Sequence, residues 1–266
     1  MTVCIAAFCD KGQTLILATD KELGLDFTSA EFAVGKTARI HPHWFGLYAG
    51  NVDPVPEILE PVRLAFIGQE KTTTTQMVDA VTASFRTVRL AKAEAIHLSS
   101  RGWTIEEFKE RGRESFPEFL FREIDSEIAG HYLGMQILLA GFGEDGGILA
   151  TVRDPGISNQ KDLTGFHAIG SGDNAAMSSL FDRAPHINMA LEEVLYYVYE
   201  AKVAAERAVG VGFETDLFVM RKGGELVTIS EASIKALESQ RLHLSRRDLT
   251  PHQLVKLKSK MPELVQ

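Results

Sequence analysis

Apolar positions along this chain fall into short continuous runs in some stretches and recur every three to four residues in others. Residues 2–9 and 13–19 are short apolar runs parted by Asp10-Lys11-Gly12, a turn signal, and predict a β-hairpin. Residues 44–50, Trp-Phe-Gly-Leu-Tyr-Ala-Gly, predict a buried strand. Asp53 offers an N-cap and Pro54 a first helical residue for a helix over 54–66, bent at Pro61. A second helix starts at Thr74 or Thr75, with Val78, Val81, Phe85 and Val88 on its apolar stripe and Arg86, Arg89 and Lys92 turned elsewhere. Residues 104–130 predict two helical pieces, with capping-box patterns at Thr104/Glu107 and Ser115/Glu118.

Strand signals return at 135–142 and 148–152 around the Gly143–Gly147 turn, and again at 166–169. Gly170-Ser171-Gly172 then leads into a helix over about 173–183, and Asn188 caps a long helix carrying Leu191, Val194, Leu195, Val198 and Ala205. Residues 217–220 and 226–229 make a closing hairpin. This order of paired strands and paired helices predicts an α+β fold, antiparallel sheets with helices packed outside.

With 266 residues the chain suits one large domain or two small ones, and its 45% apolar and 24% charged residues are ordinary for a globular protein. The net charge of −8 argues against a nucleic-acid partner. No apolar run nears the ~20 residues of a membrane span, and no basic-then-apolar leader reads as a signal peptide, so no membrane partner is expected. Cys4 and Cys9, an odd number of residues apart, fall on opposite faces of one strand and suit a reducing cytoplasm. From Lys235 onward seven cations face three carboxylates, a basic helical tail over 233–266 best read as solvated or docked on a partner. His41-Pro42-His43 has two potential ligands but no completing carboxylate, and reads as a turn. Gly170-Ser171-Gly172 is too short for a dinucleotide fingerprint and lacks the glycines of a nucleophile elbow.

Removal of Met1 would expose Thr2, whose hydroxyl is a nucleophile and whose α-amine, titrating near pH ~8, is a base within the same residue. Asp20 ends the second strand in Leu17-Ala18-Thr19-Asp20, Lys36 follows sixteen residues later, and Gly50, in Ala49-Gly50-Asn51-Val52-Asp53, fourteen after that. Together with Ala168-Ile169-Gly170-Ser171-Gly172, these spacings resemble the proteasome β-subunit family of N-terminal nucleophile (Ntn) hydrolases over about residues 2–229. The resemblance implies a four-layer αββα sandwich over 1–232, with a helical insertion near 90–130. It implies a cytoplasmic threonine peptidase acting on a peptide or protein, without a cofactor, as a homo-oligomeric ring or stacked rings. Thr2 would be nucleophile and base, Lys36 would tune the amine and Asp20 would orient Lys36. Gly50 N–H would hold the oxyanion, and Ser171 would assist. Leu23, Val34, Tyr48 and Val52 would line an apolar specificity pocket, or serve as plain core. Equally, Asp20–Lys36 reads as an ordinary ion pair and Gly50 as a turn residue.

Three features depart from the family. The hairpin before Asp20 is two residues longer, so a constant offset would make Cys4 the nucleophile. Ala208 and Val211 stand where the family has aspartate and serine, and Glu22 occupies a usually basic position. These departures point to the divergent bacterial and archaeal proteasome-like proteins. They leave open a non-catalytic scaffold or binding subunit and a small-molecule amidase of the Ntn class.

Overall fold

The computed structural model describes residues 2–25, 28–31, 35–161, 163–243 and 250–261. It is a mixed α+β protein with two five-stranded antiparallel sheets and, among the described residues, eight α-helices. The first sheet contains β1 (Val3–Cys9), β2 (Thr14–Asp20), β10 (Phe166–Gly170), β11 (Thr215–Arg221) and β12 (Leu226–Thr228), in the order β10-β1-β2-β11-β12. A small ribbon pairs β3 (Glu22–Leu25) with β4 (Thr28–Glu31). The second sheet runs in chain order through β5 (Thr37–His41), β6 (Trp44–Gly50), β7 (Met135–Gly143), β8 (Gly146–Arg153) and β9 (Ile157–Gln160).

Alternation along the strands sorts their side chains between separate cores. In β1, Val3, Ile5, Ala7 and Cys9 join a cluster with α5 (Asp173–Arg183) and α6 (Leu191–Ala205). Cys4, Ala6 and Phe8 point the other way, into a cluster with Phe45, Leu47, Leu138, Ala140 and Leu149 of the second sheet. The two cysteines thus lie on opposite faces, as their spacing predicts, and both are free thiols. In the second sheet Ile137, Leu139, Ala150 and Val152 face α1 (Val55–Ala65) and α2 (Thr74–His97). Each fully buried aliphatic or aromatic side chain contributes about 1.5–3 kcal/mol, so sheet faces covered on both sides account for most of the driving force.

Several local expectations change in three dimensions. Pro54, not Asp53, is the N-cap of α1, and Asp53 instead donates its backbone N–H to Asn51 Oδ1 at 3.1 Å. Thr73 caps α2 through a capping box with Gln76. Arg89, off the apolar stripe, is buried all the same and donates to the carbonyls of Ile128, Ala129 and His131 at 2.6–3.1 Å. Those carbonyls end α4 (Glu118–Gly130), where a cation complements the helix dipole. The Thr104/Glu107 box forms at the start of α3 (Ile105–Ser115), but Ser115/Glu118 does not, because Ser115 completes α3 and Pro117 caps α4. Ala190 rather than Asn188 caps α6. Strands β3, β4, β5 and β9 carry no clear signal in the apolar pattern.

In the tail, Leu237 of α7 (Glu231–His243), Leu257 of α8 (Pro251–Lys258) and Met261 just beyond it join the same cluster as α6. Lys258 pairs with Glu192 of α6 at 3.0 Å, so part of the basic character of this segment is matched by this protein's own acidic helix. No helix among the described residues is long and apolar enough to cross a membrane.

Candidate active site

β2 ends on a buried charge. Asp20 is 0% exposed, and Lys36, just before β5, is 1% exposed with its Nζ 2.8 Å from Asp20 Oδ2. Two backbone donors complete the carboxylate: Val3 N–H reaches Oδ1 at 2.9 Å and Gly212 N–H reaches Oδ2 at 3.0 Å. A carboxylate with three donors, one of them cationic, is a fixed anion inside the protein, the arrangement under which a buried charge persists. It ties the first residues of β1 to the far end of the 206–214 connection.

Thr2, buried, immediately precedes the Val3 whose N–H binds this pair. Its backbone N–H donates to Ser171 Oγ at 3.1 Å, and the serine hydroxyl donates in turn to Thr2 O at 3.4 Å. Gly172 N–H adds a 3.3 Å bond to the same carbonyl. The β1–β10 register, Val3 opposite Gly170, brings the Gly-Ser-Gly turn here, and Gly170 makes the approach possible. At φ +105° it is in a region that favours glycine, and a Cβ on it would sit 2.1 Å from Thr2 O.

Thr2 and Ser171 open onto a cavity of about 380 Å³ whose other walls include Gly50, Gly134, Arg153 and Asp154. Gly50 ends β6 at φ +92°, where a Cβ would come within 2.3 Å of Gly134 O, so the backbone alone requires glycine. Asp154 holds the facing loop, accepting the N–H groups of Leu133 and Gly134 at 2.8 and 3.0 Å. Nothing in the local sequence marks Asp154 or Arg153 as neighbours of Thr2; the β7–β8 pairing brings them there.

Thr2, Asp20, Lys36, Gly50 and Ser171, drawn from five separate stretches, therefore share one locality. The pocket residues do not join them in the same way. Tyr48 and Val52 are absent from the cavity walls; Tyr48 is half-buried with its O–H donating to Gly35 O at 2.7 Å, and Val52 is exposed. Val34 lies outside the described residues, and of Leu23 only the backbone, in β3, is described.

Cys4 is fully buried between the sheets, its thiol 3.4 Å from Tyr48 O. Burial, with Asp20 adding to it, pushes this thiol far above its ordinary range, so it stays protonated and a poor nucleophile. His41 is also buried, its Nε2 2.7 Å from Gln69 O, and among the described residues no three His, Cys, Asp or Glu side chains group as metal ligands.

Where the family carries aspartate and serine, Val211 is buried and Ala208 packs against the α6 cluster. A Cβ on Gly172 would meet Ala205, Val211 and Val3 at 2.8–3.2 Å, so apolar groups crowd this side of Thr2. The polar group this loop contributes is the backbone N–H of Gly212, which donates to Asp20 rather than to Thr2. That stretch is held by Lys202, whose position on the α6 stripe, four residues after Val198, is the one sequence signal that it would be buried.

No protein-family model matches the chain, and no curated protein matches it.

Proposed function

We propose that the protein is an N-terminal threonine hydrolase, a proteasome-like peptidase whose site is completed by removal of Met1. The observation that carries this reading is Thr2 on the wall of an open cavity with Ser171 and Gly50, one residue before the Val3 N–H that binds the buried Asp20–Lys36 pair. The sorting of strand residues into one cluster between the sheets and one on each outer face supports a four-layer αββα arrangement.

In the reaction, the Thr2 nitrogen, an amide while Met1 is attached, becomes a free amine. The amine takes the proton from Thr2 Oγ as the oxygen attacks the scissile carbonyl. Gly50 N–H stabilises the oxyanion that forms, and the ammonium returns its proton to the departing amine. Water, activated by the same amine, then hydrolyses the ester and frees the threonine. Lys36, held by Asp20, places a fixed positive charge that favours the neutral amine. Cys4 is not suited to the nucleophile's part, since its thiol is protonated and buried away from the cavity. The ring assembly that accompanies this class belongs to the same proposal.

Intact-mass measurement tests the first requirement, and hydrolysis of a peptide library by wild type and Thr2→Ala tests the second. Met1 is expected to be absent, and the variant to lose at least about a hundredfold in kcat while keeping its fold. Retained Met1, or turnover indifferent to Thr2→Ala, sinks the mechanism. The apolar packing at Ala208 and Val211 favours a second reading, a binding subunit of the same fold, and a processed terminus with no hydrolysis would select it.

A further inference from the structure

Lys202 is 0% exposed, and its ammonium sits inside the protein against three oxygens: Glu206 Oε1 at 2.6 Å, Gly212 O at 2.8 Å and Phe213 O at 2.7 Å. Placing a lysine there costs heavily in desolvation unless every donor is used. A core position on an apolar helix stripe would take leucine or methionine at lower cost. The two carbonyls belong to the stretch whose next contact is the site: Gly212 accepts from Lys202 through its oxygen and donates from its nitrogen to Asp20 Oδ2. A continuous path of hydrogen bonds thus runs from Lys202 through one glycine to Asp20, and from Asp20 to Lys36.

We propose that Lys202 is a positioning residue for the Asp20–Lys36 pair, fixing the Gly212 N–H that tunes the Asp20 carboxylate and, through Lys36, the basicity of the Thr2 amine. Ala208 and Val211 offer no polar side chain to do this, and the buried lysine supplies from α6 the rigidity that the loop lacks. With Gly212 N–H in place, part of the Asp20 charge is spent on the backbone and more of the Lys36 charge is felt at Thr2. Without it the local potential becomes more negative and the amine holds its proton to higher pH.

Other groups are part of the same field and must stay constant. Arg153 and Asp154 line the cavity, Cys4 of β1 faces Tyr48 of β6, and Asp173 opens α5. Around the loop, Lys21 pairs with Glu214 and Asp216 at 3.4 and 3.5 Å.

The inference rests on the threonine-hydrolase reading only for its kinetic arm. The test compares wild type, Lys202→Met and Lys202→Gln after treatment with methionine aminopeptidase, with exposure of Thr2 verified by intact mass. The Thr2 amine is titrated by NMR of isotopically labelled threonine, and kcat and KM are followed against pH with a peptide substrate. Lys202→Met should raise the amine pKa by about half to one unit and lower kcat near neutrality about three- to tenfold, with KM within about twofold. Lys202→Gln, which keeps a donor for the carbonyls, should fall between the two. If Lys202→Met does not fold, the Gln variant carries the comparison, and a shift in the same direction supports the role. An unchanged amine titration in a folded variant, whatever its loss of stability, overturns it. A shifted amine in a protein whose wild type hydrolyses no peptide keeps the positioning role and rejects the peptidase.

Discussion

Removing one member of the Asp20–Lys36 pair should be far more harmful than removing the other. Both side chains are essentially inaccessible and 2.8 Å apart, the regime in which breaking an ion pair costs about 3–5 kcal/mol because a charge is left without its partner. The remainders differ. Lys36→Met leaves the Asp20 carboxylate with two backbone donors, Val3 N–H at 2.9 Å and Gly212 N–H at 3.0 Å, so its cost belongs at about 2–4 kcal/mol. Asp20→Asn leaves the ammonium buried, and its amide can accept from Val3 only by aiming its own NH₂ at Lys36 and Gly212. Whichever way the amide turns, an orphaned backbone N–H adds about 1–3 kcal/mol, which brings this variant to about 4–8 kcal/mol. A typical domain has only about 5–15 kcal/mol in all, so Asp20→Asn should unfold at very low denaturant or fail to fold at 37 °C. Urea unfolding at pH 7, followed by circular dichroism, reads both values and their order. A Lys36→Met midpoint equal to wild type, or a milder loss in Asp20→Asn than in Lys36→Met, would refute the account of the carboxylate as the hub.

Gly170→Ala should cost at least about 1–3 kcal/mol from the φ of +105° alone, and the 2.1 Å contact with Thr2 O should displace Thr2 and abolish any Thr2-dependent turnover; thermal unfolding with an activity assay checks both. His167 is held neutral to about pH 4, burial first and nearby Lys161 second depressing it from an ordinary 6.5. The unfolded chain therefore binds the proton first, so its contribution is intact above about pH 6.5 and is lost as pH falls towards 4. Urea midpoints at pH 7.5 and 4.5 should draw closer together in His167→Gln, and an unchanged difference would exclude His167 as a source of acid sensitivity.

The elements marked by apolar runs or stripes are legible in the amino-acid sequence alone. The β1–β2 hairpin, β6–β8, α2, α5 and the β11–β12 hairpin fall where their apolar residues put them, because an apolar run bounded by turn residues, or a stripe over several helical turns, has one low-energy burial. Capping is less legible. Thr73 and Thr104 close capping boxes, yet Ser115 and Asn188 do not, because the neighbouring segments decide whether a candidate ends one helix or starts the next. Arg89 reads locally only as lying off the apolar stripe, since nothing near it in the chain shows that the carbonyls ending α4 arrive beside it.

The candidate site divides along the same line. Local sequence determined the start of β1, the aspartate closing β2, and the glycines that tight backbone demands, since these follow from hydrophobic pattern and steric limits on φ. Only the tertiary structure decided that Asp20 takes its third donor from Gly212, that Lys202 fixes that donor, and that Arg153 and Asp154 face Thr2. The reason is separation along the chain: Asp20 and Gly212 are 192 positions apart, and hydrogen-bond partners so distant are chosen by strand register and sheet packing, which no local pattern encodes.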